Sequence, residues 1–333
     1  MSSGNDRISA EERLIARYFS PLAKHPGAFG LSDDAAVLAP PMGHDLVLTT
    51  DGVVAGVHFF PGDPAADVAR KVLRMNLSDL AAKGAQPVGF LMSLAVPAAT
   101  KKSWMARFAK GLGEDADHYG CALLGGDTDR TGGPLSIVIA AFGAVPRGRI
   151  VRRSTAKPGD IIVVTGTIGD AALGVKLRRT KSLAKTWRLT RAMARHLEER
   201  YLLPQPRNAL AAAVLRYASA AMDVSDGLAG DLAKLCRASA VAAEVDVASV
   251  PLSIAARAAI AAKPKLLERV LTGGDDYEIV LALSPARLPA LHAASKKAGV
   301  PVTEIGRLRK GRGVRFLRNG NTLDFSRTSY SHF

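Results

Sequence analysis

Cysteine, aromatic residues and long apolar runs are all scarce in this sequence. Its two cysteines, Cys121 and Cys236, lie far apart and in no metal-ligating spacing, which is typical of a protein from a reducing compartment. No apolar run approaches the roughly 20 residues that a membrane-spanning helix requires. The first twelve residues are polar and lack the apolar core of a signal peptide. These absences predict a cytoplasmic protein with no membrane partner.

The balance of charge is strongly basic, with 45 lysines and arginines against 30 acidic residues and a net charge of +15. A basic surface attracts phosphate backbones, so a nucleic-acid-binding protein is one interpretation. The other is a solvated surface that attracts small anions such as nucleotides. Aromatic residues make up only 5% of the chain and do not interleave with the basic clusters, as a base-stacking platform requires. We therefore expect no nucleic-acid partner.

The basic residues concentrate in two segments, 176–200 and 307–318. Apolar residues recur at helical spacing in the first segment, which predicts an amphipathic helix with a basic, solvated face. These apolar residues are Leu183, Trp187, Met193 and Leu197.

The length of 333 residues predicts two domains. Apolar strands alternate with helical patterns, which is typical of an α/β layer structure. We expect helices over 64–83 and 101–118, and strands over 45–50, 89–96, 121–124, 135–145, 161–165, 221–224, 243–247 and 277–283. The segment 147–160 is rich in arginine, proline and glycine. It therefore predicts a link between domains of residues 1–148 and 149–333.

Aspartates recur in glycine-rich turns after the predicted strands. Any one such turn is typical of a helix cap or a tight turn, but ligands of α/β folds gather beyond strand ends. Five such turns in one chain therefore favour a shared acidic site. The turns carry Asp33-Asp34 in LSDDAAVL, Asp51 in VLTTDGVV, Asp127 in CALLGGDTD, Asp223 and Asp226 in AMDVSDGL, and Asp275-Asp276 in TGGDDYEIV.

Asp79 falls on an apolar stripe of the predicted helix 64–83. An ionised carboxylate there costs several kcal/mol unless it is compensated, either by an arginine or by a cation shared with other carboxylates. Mg²⁺ commonly combines one or two carboxylates with substrate phosphates. Without cations, a cluster of such carboxylates would repel itself. The sequence therefore predicts several Mg²⁺ ions and a polyphosphate near residues drawn from Asp34, Asp51, Asp79, Asp127 and Asp223.

The common nucleotide motifs are absent: no GxxxxGK[ST] loop, no GxGxxG after a strand and no HRD-type kinase loop occurs. The turn VTGTIGDAALG has two interpretations, a phosphate site at a helix start or a tight strand-to-helix turn. His58 has no second metal-type histidine nearby and by itself indicates packing or capping. The seven histidines are scattered, which argues against a zinc site.

The ordered motifs DDAAVL, TTDGVVAGVHF, NLSDLAAKGAQP, LLGGDTDR, RSTAKPGD, VTGTIGD, DVSDGLAGDL and GGDDYE resemble those of thiamine-monophosphate kinase. That family shares a superfamily with aminoimidazole ribonucleotide synthetase and selenophosphate synthetase. The resemblance runs from about residue 14 to the closing SYSHF. It implies a two-domain, synthetase-like α/β (α+β) fold. The N-terminal domain would bind ATP and Mg²⁺, and its four-stranded sheet would pair with that of a second subunit in a homodimer. The C-terminal α/β domain would close the nucleotide and substrate site.

The resemblance also implies roles for individual residues. The Mg²⁺ ligands would be Asp34, Thr49, Thr50, Asp51, Asp79, Asp127 and Asp223, with Asp226 for a further ion. The ATP contacts would be Gly126, Asp127, Arg153 and Ser225. His58 would contact the thiamine phosphate, with Asp275 and Tyr330 as further substrate contacts. The catalytic set would be Asp51, Asp79, Asp127 and Arg153.

Two positions depart from the family pattern. Ser32 stands where the family usually has glycine before the aspartate pair, so that turn must avoid a glycine-only conformation. Asp275 stands where the family usually has glutamate, and its shorter side chain places the expected substrate contact in doubt.

The reaction implied is transfer of the γ-phosphoryl group of ATP to thiamine monophosphate, which gives thiamine diphosphate. The attacking phosphate oxygen is already anionic, so in-line positioning and neutralisation of charge by Mg²⁺ replace a strong general base. One alternative is another ATP-dependent member of the superfamily, a ribonucleotide-amidine cyclase or a selenophosphate synthetase. The latter would carry a reactive cysteine near its N-terminus, whereas the first cysteine here is Cys121. The alternative of another class is the basic nucleic-acid-binding protein.

Overall fold

The structure, a computed structural model, describes residues 9–326 and 329. The chain divides into two compact units. The first runs to Asn76 and resumes over Pro87–Ala144, and the second takes Leu77–Gln86 and continues from Val145. In the part of the chain that is described, no helix combines the length and apolar character needed to cross a membrane.

The first unit contains a four-stranded sheet with the strand order β1-β4-β2-β3. Its strands are β1 (His44–Val54), β2 (Gln86–Pro97), β3 (Ala122–Thr131) and β4 (Ser136–Pro146). Helices lie at α1 (Ala10–Tyr18), α2 (Ala65–Ala82) and α3 (Lys102–Tyr119). Strands β2 and β3 are parallel, and their register places Ser93 opposite Asp127.

Helix α2 is buried along most of its length, which its sequence explains. Pro64 precedes its first residue, where the missing N–H and the fixed φ of proline suit a helix start, and Gly84 follows its end with φ +72. Val72 and Leu73, which face different sides of the helix, are both 0% exposed. Gly111 of α3 lies against Ala66, where a Cβ atom would meet backbone at 2.5 Å. The two helices therefore approach each other closely in the core.

The second unit contains a seven-stranded sheet with the order β11-β10-β7-β9-β5-β8-β6. Neighbouring strands of this sheet are antiparallel except for the parallel pair β7–β10. The strands are β5 (Ile161–Thr165), β6 (Ala220–Val224), β7 (Ala242–Asp246), β8 (Glu278–Leu283), β9 (Val302–Arg309), β10 (Gly313–Arg318) and β11 (Asn321–Thr322). The helices are α4 (Asp170–Arg179), α5 (Leu183–Thr186), α6 (Arg191–Leu202), α7 (Ala211–Tyr217), α8 (Leu228–Ser239), α9 (Ile254–Ala262), α10 (Leu266–Thr272) and α11 (Leu288–Ala298).

Both faces of the central strands in this sheet are covered. Successive side chains of a strand point to opposite faces, and β5 is apolar at four successive positions, Ile161–Val164. Ile162 and Val164 pack in one core with Leu232 of α8. Ile161 and Val163 pack in a second core with residues of α7 and α11. The sheet therefore lies between two helical layers, which explains why its strands are continuously apolar.

Every strand predicted from the sequence is present, and 161–165 has the predicted bounds. The prediction of an amphipathic helix over the basic segment 176–200 is wrong. Arg188 adopts φ +54 between α5 and α6, and Thr190 caps α6 by accepting the N–H of Met193. The predicted apolar residues still share one core cluster, because separate short helices bury them at the same spacing.

Strands β9 and β10 were not predicted from the second basic segment, 307–318. Arg307 and Arg309 are exposed on either side of buried Leu308. This alternation of charged and apolar residues was the available signal for a half-buried strand. Arg309 and Arg315 both pair with Glu244 on β7.

A buried ion cluster ties β8 to the helical layer. Glu278 is 0% exposed. Its carboxylate accepts hydrogen bonds from Arg200 at 2.8 Å, from Nε of Arg207 at 2.6 Å and from the hydroxyl of Thr165 at 2.6 Å. Removing one member of such a buried pair leaves an uncompensated charge.

We expect Glu278→Gln to lower the free energy of unfolding of the second unit by about 3 kcal/mol, because one buried and one partly buried guanidinium group lose their counter-charge. Urea unfolding followed by circular dichroism measures the loss. Glu244→Gln is the matched control, since Glu244 also pairs with two arginines but lies at the surface. It should shift the midpoint much less. Equal shifts for the two variants would show that burial of the cluster contributes nothing.

Candidate active site

A cavity of about 730 Å³ opens beside the sheet of the first unit. Most of its walls are apolar, and three carboxylates, Asp33, Asp34 and Asp127, stand among them. The apolar lining includes Ile15, Phe19, Leu31, Leu46, Leu91 and Phe142. An apolar pocket with a few polar groups at fixed positions is the usual form of a small-molecule site.

Asp127 reaches this cavity because Gly126 brings β3 close to β2. The φ of Gly126 is +151°, and a Cβ atom there would lie 1.9 Å from the carbonyl oxygen of Met92. Only glycine fits this approach. The backbone of Gly125 and Gly126 therefore lines the cavity next to the Asp127 carboxylate.

The turn before the aspartate pair avoids a glycine-only conformation, as predicted. Ser32 has φ −103° and ψ 1°. Left-handed conformations occur just upstream instead, at Phe29 (φ 49°), Gly30 (φ 64°) and Leu31 (φ 62°). Beyond the turn, Asp33 Oδ1 accepts the backbone N–H of Asp34 at 2.7 Å. This bond fixes the Asp33 carboxylate relative to the backbone of Asp34.

The predicted ligands Thr49, Thr50 and Asp51 lie together on β1. The Thr50 hydroxyl donates to the carbonyl of Ile139 at 3.1 Å, and the N–H of Asp51 donates to Oδ1 of Asn76 at 3.0 Å. Asn76 is 0% exposed and itself donates to the carbonyl of Val72. Asn76 therefore positions the backbone of Asp51, a role that the sequence analysis missed.

His58 lies in the turn that follows β1. Its ring nitrogen Nδ1 accepts the backbone N–H of Val54 at 3.0 Å, and the backbone N–H of His58 donates to the carbonyl of Val54 at 3.0 Å. The sequence indicated only a packing or capping residue, and the reciprocal bonds to Val54 depend on the turn geometry.

In the second unit, Asp79 lies near the C-terminal end of α2, beside Ser78. The Ser78 hydroxyl is buried and lies 3.3 Å from Oδ2 of Asp223 on β6. Lys83, one turn after Asp79, donates to the carbonyl of Ala221 at 2.9 Å. The structure thus brings Asp79, Asp223 and Lys83 into one neighbourhood.

Burial lowers the pKa of the Lys83 ammonium, and repulsion from Arg153 lowers it further, while Asp223 and Asp79 oppose both effects. Lys83, which follows the end of α2, is therefore a cation near Asp79 that the sequence did not predict. The available signal was the i,i+4 spacing of aspartate and lysine.

Ser225 and Asp275 are also brought together. The N–H of Asp275 donates to the carbonyl of Ser225 at 2.8 Å, and a Cβ atom at Gly274 would lie 2.2 Å from that same oxygen. Asp275 has φ +74°, a conformation that aspartate tolerates better than most residues. The two Asp-rich loops of this unit are therefore joined through their backbones.

Asp226 has a cation partner that the sequence analysis did not predict. Lys234 donates to Oδ2 of Asp226 at 2.5 Å and to Oδ1 of buried Asp231 at 2.8 Å. A further metal ion at Asp226 would compete with this ammonium.

The glycine-rich turn before α4 has the geometry of a tight strand-to-helix turn. Asp276 is 0% exposed, and its carboxylate accepts the N–H groups of Gly169 at 2.6 Å and Ala171 at 3.3 Å. Burial and the neighbouring Asp170 raise the pKa of Asp276. Because a side chain of the protein occupies these N–H groups, the phosphate interpretation of this turn does not fit.

Across the described residues, no three His, Cys, Asp or Glu side chains are arranged to hold a metal ion. Mg²⁺, however, needs only one or two carboxylates when substrate phosphates supply other oxygen ligands. Asp34 with Asp127 in the first unit, and Asp79 with Asp223 in the second, are donor sets of that size. They fit Mg²⁺ that arrives with a polyphosphate. Tyr330 lies outside the described residues.

Comparison with known proteins places both halves of the chain in one family. Residues 32–145 match the AIR synthase related protein, N-terminal domain, and residues 157–318 match the C-terminal domain of the same proteins. The thiamine-monophosphate kinase of Caulobacter vibrioides is 41% identical over 96% of this chain and 89% of its own length.

Two solved structures extend the comparison. The thiamine-monophosphate kinase of Stenotrophomonas maltophilia K279a superposes with a TM-score of 0.82 at 38% identity, covering 94% of this chain and 96% of its own. AaThiL complexed with AMPPCP and TMP superposes with a TM-score of 0.77 at 29% identity, covering 92% of this chain and 97% of its own.

Proposed function

Because the chain belongs to the thiamine-monophosphate kinases of the AIR synthase related family, we propose that it transfers the γ-phosphoryl group of ATP directly to thiamine monophosphate with several Mg²⁺ ions. The product is thiamine diphosphate, and the protein acts in the cytoplasm as part of thiamine biosynthesis. The AaThiL complex with AMPPCP, an ATP analogue, and TMP supports these two substrates.

The observation that carries the proposal is the cavity of the first unit. Its apolar walls suit a nucleobase, and the polar backbone at Gly125–Gly126 with Asp34 and Asp127 suits a metal-bound polyphosphate. A volume of about 730 Å³ lies within the range of small-molecule pockets. We assign Gly126 and Asp127 to ATP binding on this basis. Arg153 and Ser225 are proposed as ATP contacts from the family resemblance.

The metal ligands that we propose are those implied by the family resemblance: Asp34, Thr49, Thr50, Asp51, Asp79, Asp127 and Asp223, with Asp226 for a further ion. When bound, Mg²⁺ neutralises charge on the transferring phosphoryl group.

The residues of the protein then provide position and charge. The attacking oxygen of thiamine monophosphate is anionic, so the site needs alignment rather than a strong base. Asp51, Asp79 and Asp127 would hold the cations that neutralise the phosphates, and Arg153 would add the positive charge of its guanidinium. His58 and Asp275 orient the substrate, with Tyr330 as a third proposed contact.

The test is product formation by the purified protein. Incubation with ATP, Mg²⁺ and thiamine monophosphate should yield thiamine diphosphate and ADP in equal amounts, measured by chromatography. Random-sequence DNA titrated at several salt concentrations serves as the comparison, because a nucleic-acid-binding protein would show tight, salt-sensitive binding without turnover. If neither thiamine diphosphate nor ADP accumulates, the proposed function is wrong.

We also propose that the protein is a homodimer formed through the sheet of the first unit. Leu48, Leu91 and Val138 are exposed by 66%, 38% and 44%. Leu48 and Leu91 also line the cavity, so the proposed interface borders the proposed ATP site. The side chain of Leu91 lies 3.3 Å from a Cβ atom placed at Gly125. An apolar face of this kind indicates a protein–protein interface.

Leu48→Glu is expected to shift the molar mass measured by light scattering from dimer to monomer at micromolar concentration, because it places a charge in the apolar interface. Ile254→Glu is the matched control, since Ile254 is equally exposed, at 67%, but lies on α9 of the second unit. A wild-type monomer, or dimers in both variants, would contradict this assignment of the interface.

A further inference from the structure

We propose that the backbone N–H of Val54 locks His58 in the neutral tautomer with its proton on Nε2, so that His58 meets the substrate phosphate as a hydrogen-bond donor and not as a proton-transfer group. The identity of the substrate rests on the proposed function. The tautomer rests on the geometry of the turn alone.

The lock follows from what each atom can do in a hydrogen bond. A backbone N–H can only donate, and that of Val54 points at Nδ1 of His58 from 3.0 Å. Nδ1 must therefore present its lone pair. A neutral imidazole has one protonated and one unprotonated nitrogen, so the proton resides on Nε2. A proton on Nδ1, in the other tautomer or in the imidazolium, would set two donors against each other.

The turn holds this geometry from both sides. The backbone N–H of His58 donates to the carbonyl of Val54 at 3.0 Å, so the two residues exchange a pair of hydrogen bonds. The N–H of Gly56 donates to the carbonyl of Phe59 at 2.8 Å, and Gly56 has φ +84°, a conformation that favours glycine. Phe59 is buried at 4% exposure and anchors the end of the turn. His58 is thus fixed relative to β1.

A fixed Nε2–H matches the chemistry of the acceptor. A phosphate monoester loses its second proton near pH 6, so its oxygens accept hydrogen bonds at neutral pH. The nucleophilic oxygen needs no base, and a histidine that could take up its proton would serve no purpose. An imidazole that already carries its proton on Nε2 can orient the phosphate, because the ring need not gain or move a proton when the substrate binds.

Nitrogen-15 NMR of the protein labelled at histidine tests the tautomer directly. Two-bond proton–nitrogen correlations distinguish the two neutral tautomers and the imidazolium, and the spectrum of His58→Gln identifies the His58 signals among those of the seven histidines. We expect the pattern of an unprotonated Nδ1 and a protonated Nε2 at neutral pH. A protonated Nδ1 would overturn the inference, whether or not the protein makes thiamine diphosphate.

Two variants test the donor role. The amide of glutamine can place an N–H near the position of Nε2, whereas the carbonyl of asparagine retains the acceptor for Val54 and loses the distant donor. The KM for thiamine monophosphate should rise about 10- to 100-fold in His58→Asn, as for loss of one hydrogen bond to a charged group. It should rise much less in His58→Gln, and the KM for ATP should stay nearly constant in both.

Equal KM values for thiamine monophosphate in the two variants would overturn the donor role. Absence of turnover in the wild type would refute the proposed function and leave the NMR result as an independent test of the lock. The wild-type spectrum also keeps the inference testable if either variant fails to fold.

Discussion

Asp79→Asn is expected to reduce kcat about 100- to 1,000-fold, the range found when one group that stabilises developing charge is removed. The substitution preserves size, and Asp79 is only partly buried, so the helix should remain folded. What it removes is the negative charge that acts with Asp223 and Lys83 in one electrostatic neighbourhood. With that charge absent, the site would hold fewer cations against the phosphates.

Steady-state kinetics and thermal unfolding measure the two effects separately. Asp67→Asn is the matched control, because Asp67 lies on the same helix in an ion pair with Arg70 and has no proposed role in the reaction. We expect near wild-type turnover in that variant and a similar unfolding temperature in both. If Asp79→Asn retains the turnover of Asp67→Asn, then Asp79 serves only to neutralise Lys83.

Removal of divalent cations is expected to abolish thiamine diphosphate formation completely. Mg²⁺ is the cation that oxygen donors and phosphates bind together, and the reaction joins two anionic phosphates whose repulsion it reduces. Turnover after exhaustive chelation should fall below detection and return when Mg²⁺ or Mn²⁺ is added in excess of the chelator.

Unfolding temperatures with and without the chelator provide the control, since the donor sets are small and we expect the fold to persist without metal. Turnover that survives chelation would remove the metal from the mechanism and leave Lys83 and Arg153 as the sources of positive charge. A parallel loss of structure would instead assign the cation to folding.

Local patterns in the sequence predicted most of the elements near the site. The proline before α2 and the glycine after it mark that helix, and the uniformly apolar run of β5 marks a strand covered on both faces. These signals depend on neighbours a few residues apart, which is why they survive without knowledge of the fold. The same logic failed for 176–200, since a spacing of three or four residues does not reveal that Arg188 interrupts the helix.

The sequence by itself determined the alternating α/β architecture, the family and the residues proposed as ligands. Its prediction of turns after strands is wrong for Asp51 and Asp127, which lie within β1 and β3. The tertiary structure decided which aspartate carboxylates already interact with a lysine or a backbone N–H of the protein itself. Lys83 and Lys234 stand beside Asp79 and Asp226, Asp276 occupies the start of α4, and the last turn of α2 belongs to the second unit. The physical reason is distance along the chain. Asp276 meets a helix start more than 100 residues away, and such a pairing is specified only when the packed cores bring the two segments together.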